Sequence, residues 1–140
     1  MALDSDYLIV YGTLRPSFEN PFARYLRQHS QYVGEVTFPG QLVDLGNYPG
    51  ALFLPDSPTT VYASLYNIHQ HKNELLAYLD EYESIGEQFE QPHEYVRALI
   101  PVSYSGTIFD CWVYLYQLPI DPNRLIESGD YERYLGRQGA

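Results

Sequence analysis

Tyr7-Leu8-Ile9-Val10-Tyr11-Gly12-Thr13-Leu14-Arg15-Pro16 is the stretch around which the chain is organised. Its first five residues are aromatic or aliphatic without a polar break, the pattern of a strand buried on both faces. The run stops at Gly12, where the missing Cβ lets another group approach the main chain. Arg15-Pro16 ends extended pairing, because proline has no N–H to donate. A buried strand therefore opens into a tight loop whose N–H groups are left without ladder partners. Such a loop can cradle a carboxylate or a developing oxyanion. The local pattern alone favours a plain first strand and turn.

Outward from this stretch, helices and strands alternate irregularly. Glu19 to His29 reads as a helix, with Asn20 as cap, Pro21 at the first helical position and Phe22, Tyr25 and Leu26 at helical spacing. Tyr32 to Phe38 reads as a strand with a bulge at Gly34, Pro39-Gly40 as a turn, and Gln41 to Leu45 as a short strand. A loop at Gly46 to Gly50 precedes a short strand at Ala51 to Leu54. Thr60 to Tyr66 alternates, with Val61, Ala63 and Leu65 on one face. A second helix runs from about Gln70 to Leu79, and Glu83 to Gln91 reads as a loop. Tyr95 to Val102 and Thr107 to Gln117 form a hairpin; Phe109, Cys111, Val113 and Leu115 share one face of the second strand, which reads as the longest. Asp121 to Gly136 holds a short helix, a Ser128-Gly129-Asp130 turn and a last helical turn. The order gives an α+β fold of about six or seven strands and two main flanking helices, with the sheet curled into a small mixed β-barrel that leaves few exposed edges.

Composition bounds the class. The 140 residues favour one domain over 1–140, and 45% hydrophobic against 19% charged residues predicts a folded core. The formal net charge of −10 argues against nucleic acid or an anionic membrane as partner, since both call for a basic patch. A single cysteine, Cys111, excludes an internal disulfide and fits a reducing compartment. The acidic start Met1 to Asp6 is unlike a secretory signal, and no apolar run approaches the ~20 residues that span a bilayer. A cytoplasmic protein is the simplest expectation. Fifteen tyrosines suit either half-buried strand faces or a polar-lined pocket.

Several familiar chemistries find no support. His29, His69, His71 and His93 are scattered and no cysteine pairs with them, so no metal site is expected. Cys111 lies mid-strand among apolar residues and reads as a packed thiol rather than a nucleophile. Gly12 belongs to no phosphate-binding glycine motif, and no cofactor is expected. What remains is the cluster Asp80-Glu81-Tyr82-Glu83 at the end of the second helix. Carboxylates in such a cluster are usually solvated, and the helix dipole opposes negative charge at that end. Glu83 sits where the helix gives way to the loop, a position from which a side chain can enter a pocket. A carboxyl held beside tyrosines and partly desolvated has a raised pKa, as acid–base catalysis needs. Arg97 reads as an exposed strand residue, or as a buried one that needs a carboxylate partner.

In order and spacing, Val10 to Arg15, Leu45 to Gly50, Val61 to Tyr66, Leu79-Asp80-Glu81-Tyr82-Glu83, Tyr95-Val96-Arg97 and Ser128 to Tyr131 together resemble the gamma-glutamylcyclotransferase-like superfamily, most nearly its small gamma-glutamylamine cyclotransferase-like branch. The resemblance covers nearly the whole chain. It implies a barrel with one cavity, in which Tyr11, Gly12, Thr13 and Leu14 bind a small gamma-glutamyl or amino-acid-like substrate through the main chain. It also implies that Glu83 is catalytic and that Tyr95, Arg97 and Tyr116 line or support the cavity. The sequence departs from the family pattern where Ala63 and Ser64 replace a glycine and a glutamate, which predicts a changed cavity charge, and where Ser84 replaces a glycine after the catalytic glutamate. The implied reaction is attack of the substrate α-amine on its own γ-carbonyl, releasing 5-oxoproline and an amine. A non-catalytic ligand-binding or scaffold member, or a cyclotransferase for another acyl-amine, stays open at this point; an open pocket joining Glu83 to the Tyr11–Leu14 loop would favour an enzyme. The oligomeric state is not indicated by the sequence.

Overall fold

The computed structural model describes residues 4–83 and 93–138. Along the chain run β1 (Tyr7–Val10), α1 (Pro21–Gln28), β2 (Gln31–Asp44), β3 (Pro49–Phe53), β4 (Thr60–Asn67), a 3-10 turn (His69–His71), α2 (Lys72–Tyr82), β5 (Tyr95–Tyr104), β6 (Thr107–Tyr116), a second 3-10 turn (Pro122–Arg124) and α3 (Tyr131–Gln138). The strands form one six-stranded sheet in the order β3-β2-β4-β1-β6-β5. Neighbours are antiparallel except β1 and β6, which pair in parallel at Leu8 and Trp112. The sheet curls until its flanks meet. Tyr104 of β5 donates its hydroxyl to Val33 O of β2 at 3.0 Å. A Cβ on Gly50 of β3 would lie 2.7 Å from Cβ of Tyr116 on β6. This is the nearly closed barrel with flanking helices that the element order predicts.

β1 holds the fold together because it serves two cores. Ile9 and Tyr11 point into the barrel with Phe38, Ala63, Leu65, Cys111 and Val113. Leu8 and Val10 point outward against the helices, with Leu26, Leu75, Leu79, Trp112 and Tyr114. The alternation along β6 divides the same way, as period-two side chains must. Ile9, Leu8, Leu26 and Leu79 are all buried, and each such aliphatic contributes about 1.5–3 kcal/mol by leaving water. α1 begins where its sequence says: Asn20 accepts from the Ala23 N–H at 2.8 Å, and Pro21 follows at the first position.

Pro39-Gly40 is not a turn. β2 runs through it and changes partner there, pairing with β4 up to Pro39 and with β3 from Gly40 onward. At 14 residues β2, not β6, is the longest strand. The physical reason is close strand approach rather than chain reversal. A Cβ on Gly40 would sit 1.9 Å from Leu52 O, so glycine is the residue that lets β3 cross so tightly. The register does shift between Tyr32 and Gly34, the expected bulge.

Arg15 anchors the end of the loop that follows β1. Its guanidinium is buried and reaches Glu35 Oε1 at 2.7 Å, Glu132 Oε1 at 2.9 Å and Asp130 Oδ1 at 3.1 Å. Glu35 also accepts from Ser64 Oγ at 2.7 Å. Ser64 is the β4 residue directly across from Glu35 in the ladder. The serine is therefore fully buried against Glu35 and outside the main cavity, and its effect on cavity charge differs from the expected one. A buried cation needs such a set of partners, because one alone would not offset its desolvation.

Candidate active site

The main cavity opens where β1 ends. It has a volume of about 730 Å3, within the ~300–1,000 Å3 typical of small-molecule sites. Its floor is the Tyr11–Leu14 loop, and its walls are Tyr48 and Pro49 before and at the start of β3, Tyr82 and Glu83 at the end of α2, Glu94 and Tyr95 at β5, and Tyr114 of β6.

The loop is rigidly placed. Asn20 Nδ2 donates to Thr13 O, and Thr13 Oγ1 and the Tyr82 hydroxyl are hydrogen-bonded, both at 2.8 Å. Arg15 N–H donates back to Gly12 O at 3.1 Å. The N–H groups of Gly12, Thr13 and Leu14 find no acceptor among the described residues. Glycine at 12 is a requirement of space: a Cβ there would meet the Pro49 ring at 2.8 Å. The Tyr11 hydroxyl donates to Tyr114 O and accepts from the Ala51 N–H, and the Tyr95 hydroxyl donates to Pro49 O at 2.7 Å. The two rings thus pin β1, β3, β5 and β6 around the hollow.

Glu83 caps α2, its N–H donating to Leu79 O at 2.9 Å. Its carboxylate forms no ion pair or hydrogen bond with a described residue. Burial pushes its pKa from 4.5 up to about 8, and the nearby charge of Glu94 adds to the rise. The helix end opposes negative charge at the same place. A carboxyl of this kind is poised to take and return a proton near neutral pH. Glu94 stands at the mouth, accepting from the Tyr48 hydroxyl at 2.7 and 3.1 Å.

The residues expected at the site separate into two groups. Tyr11, Gly12, Thr13, Leu14, Glu83 and Tyr95 come together on the cavity wall. Arg97 and Tyr116 stand behind it. Arg97 Nη1 bridges both oxygens of Asp80 at 2.9 Å, and Asp80 in turn accepts from the Tyr114 hydroxyl at 2.7 Å. Tyr116 packs edge-on against Tyr95 with centroids 5.9 Å apart. Ser84 lies outside the described residues. Sequence reasoning did not find Tyr48, Tyr82, His93, Glu94, Tyr114 or Leu118 as lining residues. Only Tyr82 and Glu94 carried a signal, by adjacency to Glu83 and Tyr95. Cys111 is buried in the barrel, where desolvation lifts its thiol to about 12 and disfavours the thiolate. No group of three or more metal-ligating side chains occurs among the described residues, and none of the described helices is long and apolar enough to cross a membrane.

A near-closed six-stranded barrel with flanking helices and a cavity at the end of β1, lined by the Tyr11–Leu14 loop and Glu83, defines the class as a small α+β fold. The family model for gamma-glutamyl cyclotransferase, AIG2-like proteins matches residues 8–133, and the chain belongs to that family. It is 35% identical over 125 residues to the gamma-glutamylcyclotransferase family protein YtfP of Escherichia coli K12, covering 89% of this chain and 94% of that one. The solution structure of Escherichia coli YtfP superposes with a TM-score of 0.63 at 33% identity, covering 94% of this chain and 98% of that one. An AIG2-like protein from Mus musculus shares the fold with a TM-score of 0.69 at 24% identity, covering 91% and 88% of the two chains.

Proposed function

We propose that this protein is a gamma-glutamylamine-type cyclotransferase, releasing 5-oxoproline and an amine from a small gamma-glutamyl substrate. The observation that carries the reading is Glu83, which has no cation beside it among the described residues and a pKa pushed by burial to about 8, lining one cavity with the Tyr11–Leu14 loop, whose N–H groups have no acceptor among the described residues.

The substrate supplies its own nucleophile. Glu83 takes a proton from the α-ammonium, and the freed nitrogen lone pair attacks the γ-carbonyl carbon. The carbonyl π pair moves to oxygen, where the loop N–H groups hold the oxyanion. Removing one donor of this type usually costs about 10²–10³ in rate. The oxyanion collapses, the bond to the outer nitrogen breaks, and Glu83 returns its proton there. Two of the three ammonium protons end on the departing amine, and one stays on the lactam nitrogen. Folding the substrate so that amine and carbonyl meet supplies much of the remaining acceleration. A cytoplasmic location goes with this reading, as the free thiol of Cys111 suits a reducing compartment.

The test is 5-oxoproline release from a panel of gamma-glutamyl amines, gamma-glutamyl amino acids, gamma-glutamyl-lysine and glutathione, run beside Glu83→Gln. Release that depends on Glu83 supports the reaction. Near-normal turnover in the variant would remove Glu83 from the mechanism.

A further inference from the structure

Arg15 acts twice at the exit of the Tyr11–Leu14 loop. Its N–H donates to Gly12 O at 3.1 Å, and its own carbonyl accepts from the Phe18 N–H at 3.0 Å, so its backbone closes the turn that begins at Gly12. Its side chain is buried, and each guanidinium nitrogen faces a different carboxylate: Nη2 faces Glu35, Nη1 faces Asp130 and Nε faces Glu132. A guanidinium is a rigid planar fork, so three partners fix its orientation as well as its position. Where the guanidinium is held, the turn is held.

Two of those carboxylates come from the far end of the chain, Asp130 from 115 residues away. Asp130 Oδ1 also accepts from the Arg133 N–H at 3.2 Å, so the carboxylate that caps α3 is the one that holds Arg15. The segment before α3 is tied to the sheet. The Ile126 N–H donates to Leu42 O of β2 at 2.7 Å, and the Tyr62 N–H of β4 donates to Gly129 O at 2.8 Å. Tyr131 of α3 stacks on Phe18, just beyond the loop, with centroids 6.1 Å apart. None of Arg15, Asp130 and Glu132 is among the residues that line the cavity. Their effect on a bound molecule therefore passes through the turn.

We propose that Arg15 is a positioning residue for the Tyr11–Leu14 loop and that α3, through Asp130 and Glu132, is its brace, so that the C-terminal segment sets the aim of the N–H groups that meet the substrate oxygen. The effect on rate rests on the cyclotransferase reading; the effect on the loop rests on the geometry alone. A donor group stabilises an oxyanion only when it already points at the place where that charge develops, and a misplacement of about 1 Å can cost on the order of 10²-fold in rate. A loop without ladder partners needs an outside support to hold that aim.

The experiment uses two variants of the full chain. Arg15→Lys keeps the charge and loses the fork, and Asp130→Ser keeps a helix cap but is too short to reach Arg15. Both are assayed for 5-oxoproline release well below their melting temperatures. The NMR order parameters of the Gly12, Thr13 and Leu14 amides are measured beside them, without substrate. kcat should fall about 10–10²-fold in Arg15→Lys, and less in Asp130→Ser. KM should stay within about threefold of the parent, because the oxyanion exists only in the transition state. Order parameters at residues 12–14 should drop from the rigid range near about 0.85, while those of β1 and β4 stay in it. Parent-like kcat in both folded variants would overturn the proposal. So would kcat lost with the loop amides unchanged, or order parameters that fall across the whole sheet, the mark of a merely structural role. Should Arg15→Lys fail to fold, Asp130→Ser decides by the same criteria. If the parent itself releases no 5-oxoproline, the reaction is wrong, and the loop amides decide the brace alone. Selective loosening at residues 12–14 upholds it; unchanged or sheet-wide values overturn it.

Discussion

Asp80 and Glu83 stand three residues apart at the end of α2, and they are treated in opposite ways. Asp80 takes both oxygens to Arg97 and a third bond from the Tyr114 hydroxyl, and the Arg97 guanidinium lies 4.9 Å over the Trp112 ring. Glu83 receives tyrosine walls and a second carboxylate, with no lysine or arginine among the described lining residues. The same chemical group therefore does two jobs. At Asp80 every partner is supplied and the result is a strut behind the cavity wall. At Glu83 the partners are withheld, and burial raises the pKa toward 8. Among the described residues no lysine or arginine lines the cavity beside Glu83, and the proposed proton transfer rests on that contrast.

Neutralising each carboxylate in turn should separate their two roles. Glu83→Gln should lower 5-oxoproline release by about 10²–10⁴, with KM far less affected, measured in steady-state assays. Asp80→Asn should instead act on stability. It removes the negative charge opposite Arg97 and turns the second acceptor oxygen into an amide donor that faces the guanidinium, and denaturant unfolding should report a loss of about 1–3 kcal/mol. A turnover defect in Asp80→Asn as large as that of Glu83→Gln, in folded protein, would erase the distinction.

pH sharpens it further. Glu83 must be unprotonated to act as base, so kcat/KM should rise through about pH 8 and level off above it. The Glu94 charge contributes to the rise in the Glu83 pKa, so Glu94→Gln should move the midpoint downward. A midpoint near 4.5 would mean that Glu83 is not desolvated in solution. The smallest effect is on stability. The folded protein keeps the Glu83 proton up to about pH 8, whereas the unfolded chain releases it near 4.5. Between those values the folded state binds more protons, so stability falls as pH rises and is flat above. Glu83→Gln should accordingly raise Tm relative to the parent at roughly pH 9 and lose that advantage near pH 4.5. Calorimetry at the two pH values checks it.

Much of this organisation is legible in the chain. The apolar run at Tyr7–Tyr11 is buried on both faces because β1 lies between the barrel interior and the helices. Asn20-Pro21 starts a helix where capping chemistry requires one. Glu83 stood at a helix end next to tyrosines, and the family resemblance singled it out from the other carboxylates of its cluster. Pro39-Gly40 misled for a specific reason: the pair is the usual vocabulary of a turn, and the need for a glycine came from Leu52 O, a contact across the sheet. Arg97 shows the same limit. Its strand context suggested solvent or a carboxylate, and α2 supplied the carboxylate through Asp80.

Legible along the chain were the order of strands and helices, the loop after β1 and a carboxylate cluster at the end of α2. Those features rest on local propensity and periodicity, which act over a few residues. Packing across the sheet placed Arg97 behind the cavity, set Glu35 against Ser64, and brought Tyr48 and Glu94 together at the mouth. Each of these depends on which strands become neighbours as the sheet closes, and on which charges find a partner when they do. That pairing follows from the packing of the whole chain.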